Sequence, residues 1–587
     1  MMLAVLSVSV LTQRNYGAGM EGSFEAADSL ALPGEVYVIE SDYLQRLNID
    51  TLDDILQIVP GASFWREGVP GSKTGFSICG ERAQLLVNGR LKDNIYTSEP
   101  LIKFIDLARL KRVEVIYRGG LSLTGELNSG KAVNLIVEEG GRETPFTQAK
   151  FTYGGNNRRS RRIWFSTPRS HISAAVSYNE YLQDAMESVD FGQNRLIGKD
   201  HIKSIAFEVC LGREADAVMH LTRFEDAFNG TACDRYEEIR TSGFDSWIDY
   251  ARGGFRGSIR HRGIERLRDS GRMSGLCSDL DIQMNCSLGD IDLRGFLKGR
   301  NYLLENRFGG LESDPRVHNY YGGITLHTRA ADRYPVRGSV FLGHHSEAEG
   351  YPGWELGAGR EGKGGAYQSI SVSRRPDLPS VAQLFHPLSA GDYPECLDVV
   401  SAGFAGLNPA ITEELSLENS FRFGLMLNLF HRRIHSAIKE NAEGSLVNSA
   451  GRNEVSGIRA GLDRSFAWRR FDLRLEAGGE YFFDRSGLGS GIPEYGAVGN
   501  LYLSFPIFKE TEVMTIHLNS IVFGEREWNE QGADPAAVHN FSLSMTLMSA
   551  LVRFQYKNIL NTEYQTVPGY FMAERHFRVG ILWNLPD

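Results

Sequence analysis

The sequence contains no apolar run long enough to cross a membrane as a helix, which needs about 20 such residues. The apolar run from Leu3 to Leu11 is too short for that and resembles the core of a secretory signal. No basic residues precede it, so we expect a signal whose true start lies upstream. A chain without such helices can span a membrane only as a closed β-barrel, because no other structure satisfies all backbone polar groups in lipid.

The chain also has few cysteines, no excess of basic charge and no catalytic motif. The six cysteines match no zinc-binding spacing, and the sequence leaves open whether Cys277 and Cys286 form a disulfide across a short loop. A net charge of −10 argues against a nucleic-acid partner. No GxSxG, HExxH or P-loop motif is present, so we expect no enzymatic activity. His344 and His345 are adjacent strand residues that point to opposite faces, and we expect no metal site there.

The chain is instead rich in the residues of strands and turns, with 64 glycines and 11% aromatic residues. Its first part mixes a helix with short strands. Helical spacing begins after Thr51, a suitable N-cap, and Pro60-Gly61 ends it. The segment "AQLLVNGRL" predicts a strand that enters a hairpin turn at Asn88-Gly89.

From about residue 147 onward, apolar and polar residues alternate along segment after segment. In "HISAAVSYNEY", for example, Ile172, Val176 and Tyr178 fall on one face of the predicted strand. Alternation permits a soluble sandwich or propeller as well as a membrane barrel. The barrel is favoured because the polar faces suit a wet lumen, aromatic residues cluster near strand ends as in "EYFFD", and no propeller repeat is visible.

Several segments, in order, resemble the TonB-dependent outer-membrane receptor family of siderophore and cobalamin receptor type. The plug domain of that family is similar to "VYVIESDYLQRLNIDTLDDILQIVPGASF", "FSICGERAQLLVNGRL" and "RLKRVEVIYRGGLSLTGELNSGKAVNLIVEE". Its barrel is similar to "RRPDLPSVAQLFHP", "GLNPAITEELSLENSF" and the last hairpin, "VRFQYKNILNTEYQTVPGYFMAERHFRVGILW". The resemblance covers essentially the whole chain.

The resemblance implies an all-β transmembrane barrel of about 22 antiparallel strands with an N-terminal α+β plug domain inside the lumen. We expect a signal-like and periplasmic segment at 1–34, the plug at 35–141 and the barrel at 142–587. The implied function is active uptake of a ferric siderophore or corrinoid across the outer membrane of a Gram-negative bacterium. Implied partners are TonB, outer-membrane lipid and the ligand, which brings its own Fe or Co, so that a monomer without a resident cofactor is expected.

Two sets of residues follow as candidates. Plug loops placed uppermost by the resemblance supply candidate ligand contacts, which are Trp65, Arg66, Lys73, Asp93, Asn94 and Tyr96. In the family, two plug arginines bind barrel glutamates and lock the plug in place. Arg118 matches the second of these arginines, and the candidate lock residues are Arg82, Arg112, Glu114 and Arg118.

The chain also departs from the family pattern. Cys79 stands where the first lock arginine is expected, so Arg82 is a candidate substitute. The chain ends in "WNLPD" rather than on an aromatic residue, and "SFEAADS" is a weak match to the segment that pairs with TonB. These departures keep an alternative open, a plugged barrel that acts as a surface receptor or structural barrel without transport.

Overall fold

The computed structural model describes the plug, the barrel wall and most of the connections between strands. Its described residues are 31–32, 34–40, 44, 49, 51–66, 74–93, 107–125, 130–138, 145–155, 158–168, 172–183, 186–190, 193–197, 199–211, 217–232, 235–252, 254–268, 271–308, 311–313, 316–330, 334–362, 366–379, 407–440, 446–449, 453–486, 491–508, 512–528, 531–568, 570–572 and 574–586.

The N-terminal part of the chain folds into two small sheets with short helices. The elements are β1 (Val36–Glu40), α1 (Leu52–Leu56), β2 (Ala62–Arg66), β3 (Thr74–Ile78), β4 (Glu81–Arg82), β5 (Gln84–Val87), β6 (Arg90–Leu91), a 3₁₀ helix (Leu107–Arg109), β7 (Leu110–Ile116), α2 (Gly120–Thr124) and β8 (Ala132–Val137). One sheet has the strand order β1-β7-β8-β5-β6, and the other has β2-β3-β4. In the larger sheet β5 and β8 are parallel and the remaining pairs are antiparallel.

Two local predictions for this part are confirmed. α1 begins after Thr51, whose backbone N–H donates to Asp54 Oδ2 at 3.1 Å, and Gly61 follows the helix with a φ of +73°. Asn88 and Gly89 both have positive φ values between β5 and β6, as a two-residue hairpin turn of type I′ requires. Asn88 also caps β8, because its side-chain oxygen accepts from Val137 N at 2.8 Å.

The rest of the chain forms a wall of long antiparallel strands, with four small hairpins attached to it. The strands are β9 (Phe146–Gly154), β10 (Arg159–Ser166), β11 (Ile172–Gln183), β12 (Met186–Asp190), β13 (Gln193–Ile197), β14 (Lys199–Leu211), β15 (Ala217–Ala232), β16 (Arg235–Arg252), β17 (Phe255–Arg268), β18 (Gly271–Leu288), β19 (Ile291–Phe308), β20 (Leu311–Ser313), β21 (Arg316–Ala330), β22 (Tyr334–His345), β23 (Ala348–Glu361), β24 (Tyr367–Asp377), β25 (Ala410–Ser420), β26 (Leu425–His435), β27 (Ile438–Glu440), β28 (Leu446–Asn448), β29 (Asn453–Trp468), β30 (Phe471–Asp484), β31 (Tyr495–Pro506), β32 (Val513–Phe523), β33 (Arg526–Trp528), β34 (Gln531–Ala533), β35 (Ala536–Leu547), β36 (Ala550–Lys557), β37 (Gln565–Val567), β38 (Tyr570–Phe571) and β39 (His576–Pro586).

The wall closes into a barrel because β39 pairs with β9, from Arg578 opposite Gly154 to Pro586 opposite Phe146. The pairs β12–β13, β27–β28, β33–β34 and β37–β38 stay outside the barrel sheet. β20 and β21 both pair with β19, one after the other, and therefore act as one interrupted strand. Counted in this way the barrel has 22 strands, which confirms the predicted fold.

The two faces of the barrel have opposite polarity. Ile172, Val176 and Tyr178 are exposed on the outside of β11, whereas Ser173 and Ser177 between them are buried. The same alternation places large apolar side chains on the outer surface of the other barrel strands. This arrangement is the reverse of a soluble protein and suits a wall with lipid outside and a polar lumen inside. No helix among the described residues is long and apolar enough to span a membrane.

The two ends of the barrel differ in their connections. The end where β9 begins and β39 finishes, here called the near rim, has two-residue turns with positive φ at Gly254, Gly289, Arg469 and Met548. The opposite end, the far rim, carries the four hairpins and the connection 378–409 between β24 and β25.

The structure answers the question of the disulfide, because Cys277 and Cys286 are both free. They lie nine positions apart on one strand, β18, which places their Cα atoms about 30 Å apart at about 3.3 Å per residue. The odd spacing also points their side chains to opposite faces of the wall, with Cys277 buried and Cys286 exposed. The residues between the two cysteines do not form a short loop but belong to the continuous strand β18.

Candidate functional site

The plug fills the lumen, and its surface meets three chemically different parts of the barrel. We call the lumen face of the barrel strands from β24 to β30 the mixed-charge wall, that of the barrel strands from β31 to β36 the amide wall and that of β16–β19 the basic wall. Each is defined by the buried polar side chains that its strands direct inward. The contacts between the plug and these walls form the candidate functional site.

The mixed-charge wall surrounds Glu81, a plug residue of β4. Arg375 Nη1 lies 3.0 Å from Glu81 Oε1, and Arg432 Nη2 lies 3.2 Å from Glu81 Oε2. The plug residue Lys131 adds a cation, with its Nζ 2.8 Å from Glu414 Oε1 on β25. Glu414 also accepts from Arg432 at 3.2 Å, so that plug and barrel share one network of alternating charges.

Charge neighbours determine the protonation of Glu81. Burial by itself raises the pKa of this carboxyl, but the cations Arg375, Arg432 and Lys131 outweigh burial and hold its pKa well below the ordinary value. Glu81 is therefore ionised whenever the plug is seated, and each neighbouring cation has a permanent counter-charge.

Arg118 lies at a second contact with the mixed-charge wall. Its Nη2 is 3.2 Å from Glu418 Oε2 on β25 and donates to Ser369 Oγ on β24 at 2.9 Å. Glu418 also accepts from Tyr367 Oη at 2.6 Å and from Arg459 at 3.3 Å. The arrangement pairs a plug arginine with a barrel glutamate, and a role for Arg118 in locking the plug stays a prediction.

The plug also presents a carboxylate, Glu35, to an arginine of the barrel. Arg337 on β22 forms a two-pronged pair with Glu35, with Nη2 2.7 Å from Oε1. Burial raises the pKa of Glu35, and the charges of Arg337 and Arg118 partly offset this effect. Gly119 packs against the same arginine, because a Cβ at this position would lie 2.4 Å from Arg337 Nη2. The φ of +73° at this position favours glycine.

The remaining predicted lock residues make other contacts. Arg112 pairs with Glu114 two residues away within β7, and Glu114 also accepts from Asn134 at 2.8 Å on the neighbouring strand β8. Arg82 is exposed, with its guanidinium 5.8 Å from the centre of the Trp65 ring. A role for these three residues in locking the plug stays a prediction.

Cys79 occupies the position where the resemblance expects an arginine, and the barrel supplies one instead. Arg432 donates to the backbone carbonyls of Cys79 and Gly80, both at 3.3 Å. Burial raises the pKa of the Cys79 thiol to about 11, so that this side chain is neutral. At this point the chain reverses the expected polarity, since the barrel provides the cations and the plug provides Glu81.

Sequence reasoning missed Glu35, Glu81 and Lys131 as plug–barrel contacts. Glu81 directly follows Cys79-Gly80, so the charge next to the departing motif was visible in the sequence. Its barrel partners Arg375 and Arg432 lie about 300 residues further along the chain, and only the strand register brings them together.

Three of the predicted ligand contacts lie within the described residues, and all three are buried. Trp65 covers Gly75, and Arg66 pairs with Asp53 at the start of α1. The backbone N–H of Arg66 donates to Thr566 Oγ1, and the carbonyl of Arg66 accepts from the same hydroxyl. Asp93 meets Arg262 of the basic wall at 2.5 Å. Lys73, Asn94 and Tyr96 lie outside the described residues. Ligand contact therefore stays a prediction for all six.

The amide wall holds α1. Asn519 on β32 donates to Asn500 Oδ1 at 2.9 Å and accepts from Asn540 at 2.8 Å, which links three adjacent strands. Asn500 and Asn519 also donate to the carbonyls of Ile58 and Gln57, each at 3.2 Å. These carbonyls follow the last turn of α1, where backbone acceptors otherwise lack partners.

The first turn of α1 is held by charge. Asp54 Oδ1 lies 3.0 Å from Arg578 Nη1 on β39 and 3.2 Å from Lys557 Nζ on β36. A carboxylate in the first turn of a helix is itself favourable. Both ends of α1 are therefore fastened to the barrel.

An apolar contact joins the plug to the same side of the barrel. The plug core around Leu52, Ile55 and Val59 continues without a break into barrel side chains of β26, β29, β30 and β31 and of two far-rim connections. These barrel side chains are Phe430, Val455, Phe482, Ile492, Tyr502 and Met572. The interface between plug and barrel is therefore apolar on this side.

The basic wall contacts the opposite side of the plug through polar groups. Lys92 of the plug pairs with Asp245 on β16 at 2.8 Å, and burial lowers the pKa of this lysine although Asp245 offsets the effect. On the barrel side, Arg294 donates to Leu123 O at 2.7 Å and Lys298 donates to Thr124 O at 3.1 Å. The apolar cluster of the plug on this side contains plug residues, around Leu86, Ile116 and Leu123.

No group of three or more His, Cys, Asp or Glu within the described part of the chain is arranged to hold a metal ion.

The sequence matches the family model described as the TonB-dependent Receptor Plug Domain over residues 28–130. No curated protein matches it. Three similar solved structures are the siderophore receptor PirA from Acinetobacter baumannii, a mutant of the ferric enterobactin receptor PfeA from Pseudomonas aeruginosa, and the copper transporter OprC.

These likenesses extend over nearly the full length of both chains. The TM-scores are 0.72 for PirA, 0.71 for PfeA and 0.73 for OprC, at 12%, 11% and 12% sequence identity. The matches cover 94%, 95% and 94% of this chain and 98%, 99% and 99% of the respective relatives. At such low identity they establish a common fold, and the ligands of these relatives differ from one another.

Proposed function

We propose that the chain is a TonB-dependent receptor of the Gram-negative outer membrane and that it takes up a scarce large ligand, a ferric siderophore or a corrinoid. Proteins of this family are receptors and transporters, so the chain is not an enzyme. We further propose that residues 35–141 act as the plug and residues 142–587 as the barrel.

The observation that carries the proposal is a plug seated in the lumen by ion pairs. A barrel of 22 strands is too wide for its own side chains to fill, so an unplugged lumen would leak solutes. Contacts such as Glu81 with Arg375 and Arg118 with Glu418 hold the plug while water can replace each of them at modest net cost. An interface of this kind stays closed at rest and rearranges under force.

Energy for this rearrangement comes, in the proposal, from TonB pulling on the segment that precedes the plug. The match to a TonB-dependent receptor plug supports this coupling. The similar structures are those of a siderophore receptor, a ferric enterobactin receptor and a copper transporter, which supports a scarce metal chelate as the class of ligand. Trp65, Arg66, Lys73, Asp93, Asn94 and Tyr96 remain the candidate ligand contacts.

Uptake measurements test the proposal. A strain that lacks the gene is complemented with the wild-type chain and is given a panel of ⁵⁵Fe-siderophores and ⁵⁷Co-cobalamin, in the presence and absence of TonB. We expect accumulation of at least one labelled ligand, dependent on both the chain and TonB. A Glu40→Gln variant, altered at an exposed plug residue, serves as the control and should transport normally.

The alternative, a surface receptor without transport, predicts a different result. Labelled ligand would then bind to intact cells without accumulating inside, and loss of TonB would change nothing. Unchanged accumulation of every probe on deletion of the gene would contradict the proposed transport.

A further inference from the structure

The contacts around the plug are unequal, and this inequality indicates where a passage opens. On the side of the amide wall and the mixed-charge wall, the apolar core of the plug merges with barrel side chains such as Phe430, Phe482 and Tyr502. Separating these groups would expose apolar surface to water, at roughly 25 cal/mol per Å². That side of the plug is therefore the harder one to detach.

The basic wall is attached to the plug through hydrogen bonds and ion pairs. The plug groups are Arg90, Lys92, Asp93 and the carbonyls of Leu91, Leu123 and Thr124, and Arg90 pairs with Asp249 and lies over the Trp247 ring. Water can take over each of these contacts once the interface is wet, so that their net contribution is far smaller than their number suggests. Displacement of the plug should begin here.

Opening at this wall would leave a row of cations without their plug partners. Arg260 contacts Leu91 O, Arg262 contacts Asp93, and Arg294 and Lys298 contact the two carbonyls at the end of α2. Arg300 continues the row, 3.5 Å from Asp279 on β18. The row follows β17 and β19 along the barrel axis, from Arg294 toward the near rim to Arg262 and Arg300 toward the far rim.

Carboxylates on this wall do not neutralise the row. Asp279 is shared by Arg262 and Arg300, and Asp281 pairs with Lys298. Asp245 is shared by Arg260 and the plug residue Lys92. Moving the plug away removes the anion Asp93 and the carbonyl acceptors, together with the plug cations Arg90 and Lys92, which pair with Asp249 and Asp245. The barrel side then keeps six cations, which are Arg256, Arg260, Arg262, Arg294, Lys298 and Arg300, beside four carboxylates, which are Asp245, Asp249, Asp279 and Asp281. Six positive and four negative charges leave an excess of two positive charges on the exposed strip, although the whole chain carries −10.

We propose that the plug opens along the basic wall and that the passage so formed conducts anionic solutes, with Arg260, Arg262, Arg294, Lys298 and Arg300 as the lining cations. This inference rests on the proposed function as an uptake receptor and specifies the route and the charge of its substrate. Cations that lose their protein partners in a narrow gap are stabilised by an anion in the same place.

Hydrogen exchange tests where the plug detaches. The full chain in lipid nanodiscs is exposed to increasing urea below the concentration that unfolds the barrel, and amide exchange is followed by mass spectrometry. We expect β5 and β6, next to the basic wall, to lose protection at lower urea than α1, next to the amide wall. Simultaneous loss, or earlier loss at α1, would overturn the proposed route.

Ion selectivity tests the charge of the passage. In a planar bilayer with a KCl gradient and urea on one side, we expect channels whose reversal potential shows preference for Cl⁻ over K⁺. The double variant Arg262→Gln with Arg300→Gln should shift the reversal potential toward K⁺. The matched variant Arg223→Gln with Arg272→Gln, which removes two outward-facing cations, should leave it unchanged.

Outcomes of these measurements separate the inference from the proposed function. Cation-selective channels in the wild type, an equal shift in both double variants, or no channel at any urea concentration would overturn the basic passage. Cellular uptake of a labelled ligand would still stand in these cases. Anion-selective channels in a chain that accumulates no ligand in cells would contradict the uptake proposal while supporting the passage.

Discussion

At the scale of single residues, the plug is held by charged side chains that are buried away from water and paired with charged side chains of the barrel. Glu81 is a plug carboxylate between two barrel arginines, and Arg118 is a plug arginine beside a barrel glutamate. When the plug is seated, Glu81 and Arg118 are each paired with an opposite charge of the barrel. Removing one partner of such a buried pair leaves the other charge uncompensated, which costs more than the pair itself contributes.

Replacement of Glu81 by Gln should weaken the seating of the plug in a pH-dependent way. We expect a loss of about 3 kcal/mol near neutral pH, because Arg375, Arg432 and Lys131 lose a counter-charge while Glu414 remains. The pKa of Glu81 is lower in the folded protein than in an unfolded chain. Its stabilising contribution is therefore complete above the unfolded value of about 4.3 and decreases as the pH falls below that value.

The measurement is the urea concentration at which channels appear in a planar bilayer, recorded from pH 7 down to pH 3. The difference in this urea concentration between wild type and Glu81→Gln should be largest at pH 7 and should decrease below about pH 4.3. Glu40→Gln is the control and should follow the wild type. A difference that is the same at every pH would show that the charge of Glu81 is not what seats the plug.

At the scale of elements, α1 shows how a short helix is stabilised by its surroundings. Five residues are too few for a helix to persist in water without tertiary contacts. Here its first turn is held by Arg578 and Lys557 and its last carbonyls by Asn500 and Asn519. The helix therefore reports on docking of the whole plug.

Replacement of Asn519 by Leu should loosen α1 without opening the barrel. The change removes hydrogen bonds to Gln57 O, Asn500 and Asn540, and each buried group left without a partner costs about 1–3 kcal/mol. Amide exchange of α1 should become faster while that of β32 is retained. Leu518→Ala, on the lipid-facing side of the same strand, should leave α1 unchanged, and equal effects of both variants would contradict the role of the amide wall.

At the scale of the whole molecule, lipid rather than a protein core covers the apolar face. The exposed apolar side chains form a continuous outer surface on the barrel strands, whereas buried positions between them are polar. Such a surface would aggregate in water and is stable in a bilayer. The polarity of the two faces therefore places the barrel in a lipid bilayer.

The destabilisation caused by an arginine on the outer face should depend on how deep its position lies in the bilayer. Ile205→Arg, in the middle of β14, should destabilise the folded barrel by about 2–4 kcal/mol, because the charge lies in hydrocarbon. Met548→Arg, in a near-rim turn, should cost about 0–1 kcal/mol. Urea titration of folding into vesicles, followed by gel mobility without heating, compares the two. Equal tolerance of both substitutions would mean that the face of β14 does not meet lipid.

The sequence alone determines the local structure of this chain, that is, its strands, their faces and some of its turns and helix ends. Alternation with a period of two, as in the segment around Ile172 and Tyr178, determines that the residues form strands and which side chains share a face. Short-range chemistry also determines the start of α1 at Thr51 and the turn at Asn88-Gly89. These features involve residues within a few positions of each other, so that no distant partner is needed to specify them.

Only the tertiary structure determines which residues that are far apart in the sequence contact each other. Glu81 meets Arg375 and Arg432, and Arg337 meets Glu35, only because closure of the barrel fixes the register and the position of the plug. The same holds for the apolar junction at Phe430 and Phe482 and for the row of cations on β17 and β19, since alternation shows that a side chain points inward but not which plug group it meets. Pairing across hundreds of residues depends on the global arrangement of strands, which local sequence patterns do not encode.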